Sequence, residues 1–182
     1  MSNRRGARII AGAVGIVFVA LLWVLVSASP NSGEGSDSPL LGQPAPAIET
    51  TTIDNQQFNL AHRKGSWVVL NFFNSTCVPC RNEHPLLLAF ARSQAGAQNP
   101  VELYTIINDD NDDSVRAYFK KYGGDWPKLR DPNGAIAISF GIAKVPETWI
   151  IDPNGYVRLR IVGQLSDGLL EELLTSLKTS FG

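Results

Sequence analysis

The chain of 182 residues has only two cysteines, two histidines and one methionine. A four-cysteine zinc site and a secreted scaffold stapled by several disulfides are therefore both out of reach. An excess of positive charge is lacking too. Sixteen basic residues face 17 acidic ones, and Arg4, Arg5 and Arg8 are the only charged residues of the first 30. The remaining 152 residues hold 13 basic and 17 acidic side chains, a net of −4, which excludes a nucleic-acid-binding domain of the usual basic kind. With 44% hydrophobic residues, one domain with a real core fits this length and two do not.

One long apolar run exists. Ile9 to Val26 is 18 consecutive uncharged residues, 16 apolar and two glycine, and as a helix it spans about 27 Å, close to a bilayer core. The three arginines precede it and no Lys or Arg follows until Arg63, so the positive-inside bias predicts a cytoplasmic segment 1–8, a transmembrane signal-anchor 9–26 and everything beyond outside the cytoplasm. Val26-Ser27-Ala28 also has the small-residue pattern of a signal-peptidase site, but the run exceeds an ordinary signal core, which favours an uncleaved anchor. Segment 27–46, rich in Ser, Pro, Gly, Asn, Asp and Glu, reads as a flexible linker, with the folded domain at 47–182.

Within that domain, two short strand-like runs around Asp54-Asn55 predict an N-terminal hairpin. Trp67 to Phe73 and Val101 to Ile107 are apolar runs of buried-strand length, each followed by a helical pattern, Arg81 to Ser93 and Val115 to Tyr122. Pro85 should kink the first of these helices. Strand, helix, strand, helix predicts an α/β fold. The aspartates at 109, 110, 112 and 113 lack the spacing, glycine and closing glutamate of a calcium loop and read as helix caps and complements to the helix dipole. Trp149-Ile150-Ile151 and Tyr156 to Val162 flank Asp152-Pro153-Asn154-Gly155 as a second hairpin, and Ser166 caps a last helix striped with leucine.

Cys77-Val78-Pro79-Cys80 falls where a buried strand gives way to a helix, the setting of a redox pair. Free N–H groups and the helix dipole lower the pKa of the first thiol, making Cys77 the nucleophile. Cys80, about a turn inside, would resolve a mixed disulfide by attacking the Cys77 sulfur. Glu83, one turn further on, is the candidate acid/base for the Cys80 proton, against the plainer reading of an exposed helix glutamate. His84 reads as a surface or groove residue. A copper or zinc carrier built from Cys77, Cys80 and His84 is an alternative from another class, since these positions share a helix face, although no fourth ligand is evident.

Three segments, Val69 to Phe72, Cys77 to Pro85 and Val145 to Asp152, resemble the membrane-anchored TlpA/DsbE-like thioredoxins (ResA/CcmG type), among them the thiol-disulfide oxidoreductases of cytochrome c maturation. The similarity runs from about Leu41 to the C-terminus. It implies a thioredoxin-like fold with an N-terminal hairpin and a central insertion, no bound cofactor or metal, and substrate binding at Val145 and Pro146, with Pro146 in cis. It implies a reductase of protein disulfides such as apocytochrome c, supplied by a transmembrane thiol donor, with an oxidase of secreted proteins as the alternative. Asn71 stands where other thioredoxins keep a buried aspartate, and Thr76 replaces the tryptophan that usually precedes the first cysteine. Glu147, beside Pro146, is a further source of groove charge, ranked below Glu83.

Overall fold

Alternation along the central strands decides the architecture, because successive side chains of a strand point to opposite faces. In the computed structural model, which describes residues 13–23 and 37–181, these strands form one five-stranded sheet. The elements are α1 (13–23), β1 (Glu49–Thr51), β2 (Gln57–Asn59), β3 (Val68–Phe73), α2 (Val78–Gln94), β4 (Glu102–Ile107), α3 (Asp112–Tyr122), β5 (Lys128–Leu129), α4 (Ala135–Phe140), β6 (Glu147–Ile151), β7 (Val157–Val162) and α5 (Leu169–Phe181). β1 and β2 pair as an antiparallel hairpin, and the large sheet runs β5-β4-β3-β6-β7. β3 is parallel to β4, β4 is parallel to β5, and β6 runs antiparallel to both β3 and β7.

Every residue of β3 is buried, so its five apolar side chains each contribute about 1.5–3 kcal/mol. Val69 and Phe73 enter a cluster with Leu87 and Phe90 of α2, Val115 and Phe119 of α3 and Leu170 of α5. Val68, Leu70 and Phe72 pack on the other side with Ile136 and Phe140 of α4 and with Ile48 and Phe58 of the hairpin region. The parity places Asn71 on the α2 side.

Three boundaries differ from the sequence reading. The fold takes up the chain before Ala47: Gly42 N–H and Ala45 N–H donate to the carbonyls of Val157 and Gly155, and Leu40, Leu41 and Ala45 pack on the α4-side cluster. Backbone pairing with the start of β7 overrides the linker-like composition there. Helix α2 opens at Val78 and continues through Pro85 to Gln94. Helix α5 opens at Leu169 after Gly168, whose φ of 72° is left-handed, and not directly after Ser166.

The expected span 9–26 is described only over 13–23, all helical with exposed side chains. The rest of that span, the segment 1–8 and residues 27–36 lie outside the described residues, among which no helix is long and apolar enough to cross a membrane.

Candidate active site

Strand β3 ends at Phe73, and the chain must turn sharply to begin α2 at Val78. Side chains hold that turn. Asn74 Oδ1 accepts from Thr76 N–H at 2.8 Å, and its Nδ2 donates to the carbonyls of Asn108 and Asp109. Asp110 Oδ2 accepts from Ser75 N–H at 2.6 Å, and Arg81 Nε donates to the Ser75 carbonyl at 2.7 Å. Asn111 is the α3 cap, with Oδ1 accepting from Ser114 N–H. Asn111 thus caps α3 and Asp112 and Asp113 stand in its first turn, where they complement the dipole, whereas Asp110 reaches across to the cysteine loop.

Cys77 is the N-cap residue of α2 and Pro79 lies in its first turn, where a missing N–H costs nothing. The two cysteines are joined as a disulfide. Cys77 Sγ accepts from Cys80 N–H at 3.2 Å, the arrangement that stabilises negative charge on this sulfur when the bond opens. Cys77 is partly accessible, while Cys80 is 1% exposed. An accessible sulfur first and a buried one behind it is the order expected from position in the helix.

Glu83 is not an exposed helix glutamate. It is fully buried, with Oε1 accepting from Asn71 Nδ2 at 2.8 Å and Oε2 from Leu165 N–H at 2.9 Å. Burial pushes its carboxyl up to about 7, against the pull of those two hydrogen bonds. Asn71 also donates to Thr148 Oγ1 at 3.1 Å. Asn71, Thr148 and Leu165 N–H are the partners that sequence reading missed as a set, although the first two were visible as polar interruptions of buried runs. The Val145–Pro146 peptide bond is cis, and the Val145 carbonyl oxygen lies 3.6 Å from Cys77 Sγ.

His84 and Glu147 are both buried, not groove residues. His84 sits among Tyr118, Phe119 and Trp126 and donates from Nε2 to the Gly123 carbonyl at 3.0 Å. Burial lowers its pKa. The same pocket holds Lys128 over the Phe119 ring, with Nζ donating to the Gly124 carbonyl and its pKa lowered by burial to about 8. A Cβ on Gly124 (φ 110°) would come within 2.8 Å of Trp126. Among the described residues no group of three His, Cys, Asp or Glu side chains could hold a metal ion, so the carrier's ligand set is not assembled there. Glu147 accepts from Arg160 through both oxygens, at 2.9 and 3.0 Å.

Residues 41–160 match the model of the AhpC/TSA family. The thiol:disulfide interchange protein DsbE of Escherichia coli K12 is 31% identical over 166 residues, covering 86% of this chain and 86% of its own. The thiol:disulfide interchange protein HelX of Rhodobacter capsulatus is 27% identical over 172 residues, 93% and 90% of the two chains. Among solved structures, a thioredoxin-family thiol:disulfide interchange protein from Chlorobium tepidum superposes with a TM-score of 0.66 at 25% identity, covering 78% of this chain and 98% of that one. A strand-to-helix Cys-x-x-Cys disulfide on a thioredoxin-like sheet and relatives matched over most of their length lead to one conclusion: the chain belongs to the AhpC/TSA family, as a thiol-disulfide oxidoreductase of thioredoxin-like fold.

Proposed function

We propose that the protein is a reductase of protein disulfides outside the cytoplasm, held at the membrane by residues 9–26, and that apocytochrome c during haem attachment belongs to its substrates. The observation that carries the redox chemistry is an accessible sulfur at a helix N-terminus, with a buried sulfur and a buried carboxyl behind it on the same helix. In the reduced protein the Cys77 thiolate attacks a substrate disulfide. One substrate sulfur leaves and takes up a proton, and a Cys77–substrate disulfide forms. The Glu83 carboxylate then takes the proton of Cys80, whose thiolate attacks Cys77 Sγ and releases the second substrate thiol. Two electrons have passed to the substrate, and the Cys77–Cys80 disulfide of this structure is the product. A carboxyl poised at about 7 suits the transfer, since it gives and takes a proton near neutral pH.

The Val145 backbone beside Cys77 Sγ, with Pro146 next to it, is the place for an extended substrate segment to pair in strand fashion. Re-reduction requires a thiol donor, which outside the cytoplasm means a membrane protein carrying electrons across. The exposed apolar helix α1 and the arginines before it support the anchor and its orientation. No bound cofactor enters any step.

A Cys80→Ala variant should accumulate disulfide-linked substrate on Cys77 in membranes, with apocytochrome c among the trapped proteins. Absence of any mixed disulfide would overturn the reading. The Cys77–Cys80 reduction potential separates reductase from oxidase, because thioredoxin-fold proteins span about −270 to −120 mV. A value near the reducing end fits the proposal, and one near the oxidising end favours the oxidase.

A further inference from the structure

A polar side chain in a strand buried on both faces has to find its hydrogen-bond partners in the neighbouring elements. Asn71 is such a residue, and its two ends differ. Nδ2 donates to Glu83 Oε1 at 2.8 Å and to Thr148 Oγ1 at 3.1 Å, whereas Oδ1 is buried with no hydrogen-bond partner. The second oxygen of Glu83 is held by the N–H of Leu165, a donor that cannot become an acceptor.

This set suits one charge state of Glu83 only. As a carboxylate it receives two hydrogen bonds. As a neutral acid it carries an O–H that needs an acceptor, and with Asn71 as it stands that proton would point at an N–H. Two buried groups would then lack partners, the Glu83 O–H and Asn71 Oδ1, where the carboxylate leaves only one. A half-turn of the carboxamide brings Oδ1 to the place of Nδ2. It then accepts from Glu83 and from the Thr148 hydroxyl, which can donate as readily as accept. One position stays unpartnered in either state, now Nδ2 instead of Oδ1.

We propose that Asn71 is a positioning residue for the Glu83 proton: its carboxamide turns over between the two charge states, presenting Nδ2 to the carboxylate and Oδ1 to the neutral acid, with the Thr148 hydroxyl rotating to follow. The inference rests on the reading of Glu83 as the acid–base partner of Cys80 and adds what lets that carboxyl exist in both forms. The proton removed from Cys80 appears on Glu83, and Asn71 and Thr148 change orientation without changing charge. Leucine at 71 could serve neither state. The titratable groups facing Glu83 are Cys80 on its own helix and Tyr118 on α3, whose phenol burial holds up at about 12 and which therefore stays neutral. β3, β6 and the segment before α5 present Asn71, Thr148 and the Leu165 N–H.

The test uses the oxidised protein, in which neither cysteine titrates, so its outcome is independent of Cys80. NMR follows the Asn71 side-chain amide and the Glu83 carboxyl carbon from pH 5 to 9. Both should move with one shared midpoint near 7, the Nδ2 protons carrying the downfield shift of a hydrogen bond to the carboxylate above it and losing that shift below it, where Oδ1 has taken their place. An Asn71 amide that stays still while Glu83 titrates, or whose Nδ2 protons keep their hydrogen-bonded shift at pH 5, overturns the proposal. If Asn71 tracks Glu83 and yet Glu83→Gln leaves the kinetics of Cys80 untouched, the acid–base reading fails while the coupling of Asn71 to Glu83 stands.

Discussion

Two carboxylates are fully buried on opposite faces of the same sheet, and they are held in different ways. Glu147, on the α4 side, receives both its hydrogen bonds from the Arg160 guanidinium. Glu83, on the α2 side, receives its bonds from an amide side chain and a backbone N–H, neither of which carries charge. A guanidinium keeps its proton at working pH, so Arg160 sets a permanent countercharge against Glu147. Neutral donors leave the cost of burying a charge largely uncompensated, and the carboxyl moves up to about 7. Burial alone therefore does not mark a site for proton transfer. What marks it is burial without a countercharge.

Breaking the charged side of this contrast should have the largest effect. Arg160→Met leaves Glu147 buried and unpaired, and chemical denaturation should show a loss of about 3–5 kcal/mol, with disulfide exchange per folded molecule retained. A loss below 1 kcal/mol would mean that the pair is dispensable.

On the neutral side, the sign runs with pH. The Glu83 carboxyl is higher in the folded protein, about 7, than its ordinary 4.5. Stability supported by the neutral acid is complete below about 4.5 and lost as pH rises towards 7. Glu83→Gln removes that dependence, so its stability relative to the unchanged protein should improve by about 3 kcal/mol from pH 4.5 to 7 and stay level above. Denaturant midpoints at four pH values check this. The same variant should slow resolution of a Cys77 mixed disulfide about 100-fold at pH 7, measured by quenched-flow alkylation, and equal rates would remove Glu83 from the chemistry.

The smallest expected effect concerns the loop between β3 and α2. Asp110→Ala removes the acceptor of Ser75 N–H just ahead of Cys77. A loss of about 1–2 kcal/mol is expected, together with faster amide exchange over residues 74–77, and unchanged exchange would show that Asn74 and Arg81 hold the turn without Asp110.

Much of this was legible in the chain. The buried strands, the helix beginning at the cysteine pair, both hairpins and the α/β order follow from period and turn chemistry, which are local properties. Cys77 and Cys80 were legible for the same reason, since their environment is made by a strand end and a helix start adjacent in sequence. The burial of His84 is not legible, because helical spacing says which residues share a face but not what covers it, and here α3 does. Residues 40–46 read as linker because their composition is linker-like, while the pairing partners of Gly42 and Ala45 lie more than a hundred positions away.

The sequence by itself determined the location and order of the two sulfurs and the class of chemistry they perform, because the field at a helix N-terminus needs only the helix. Tertiary structure alone decided that Glu83 stands near 7 while Glu147 sits in an ion pair. The groups that make that difference, Asn71, Leu165 and Arg160, come from β3, the segment before α5, and β7. Desolvation and hydrogen bonding act through space, and no spacing along the chain encodes which donor will meet a given oxygen.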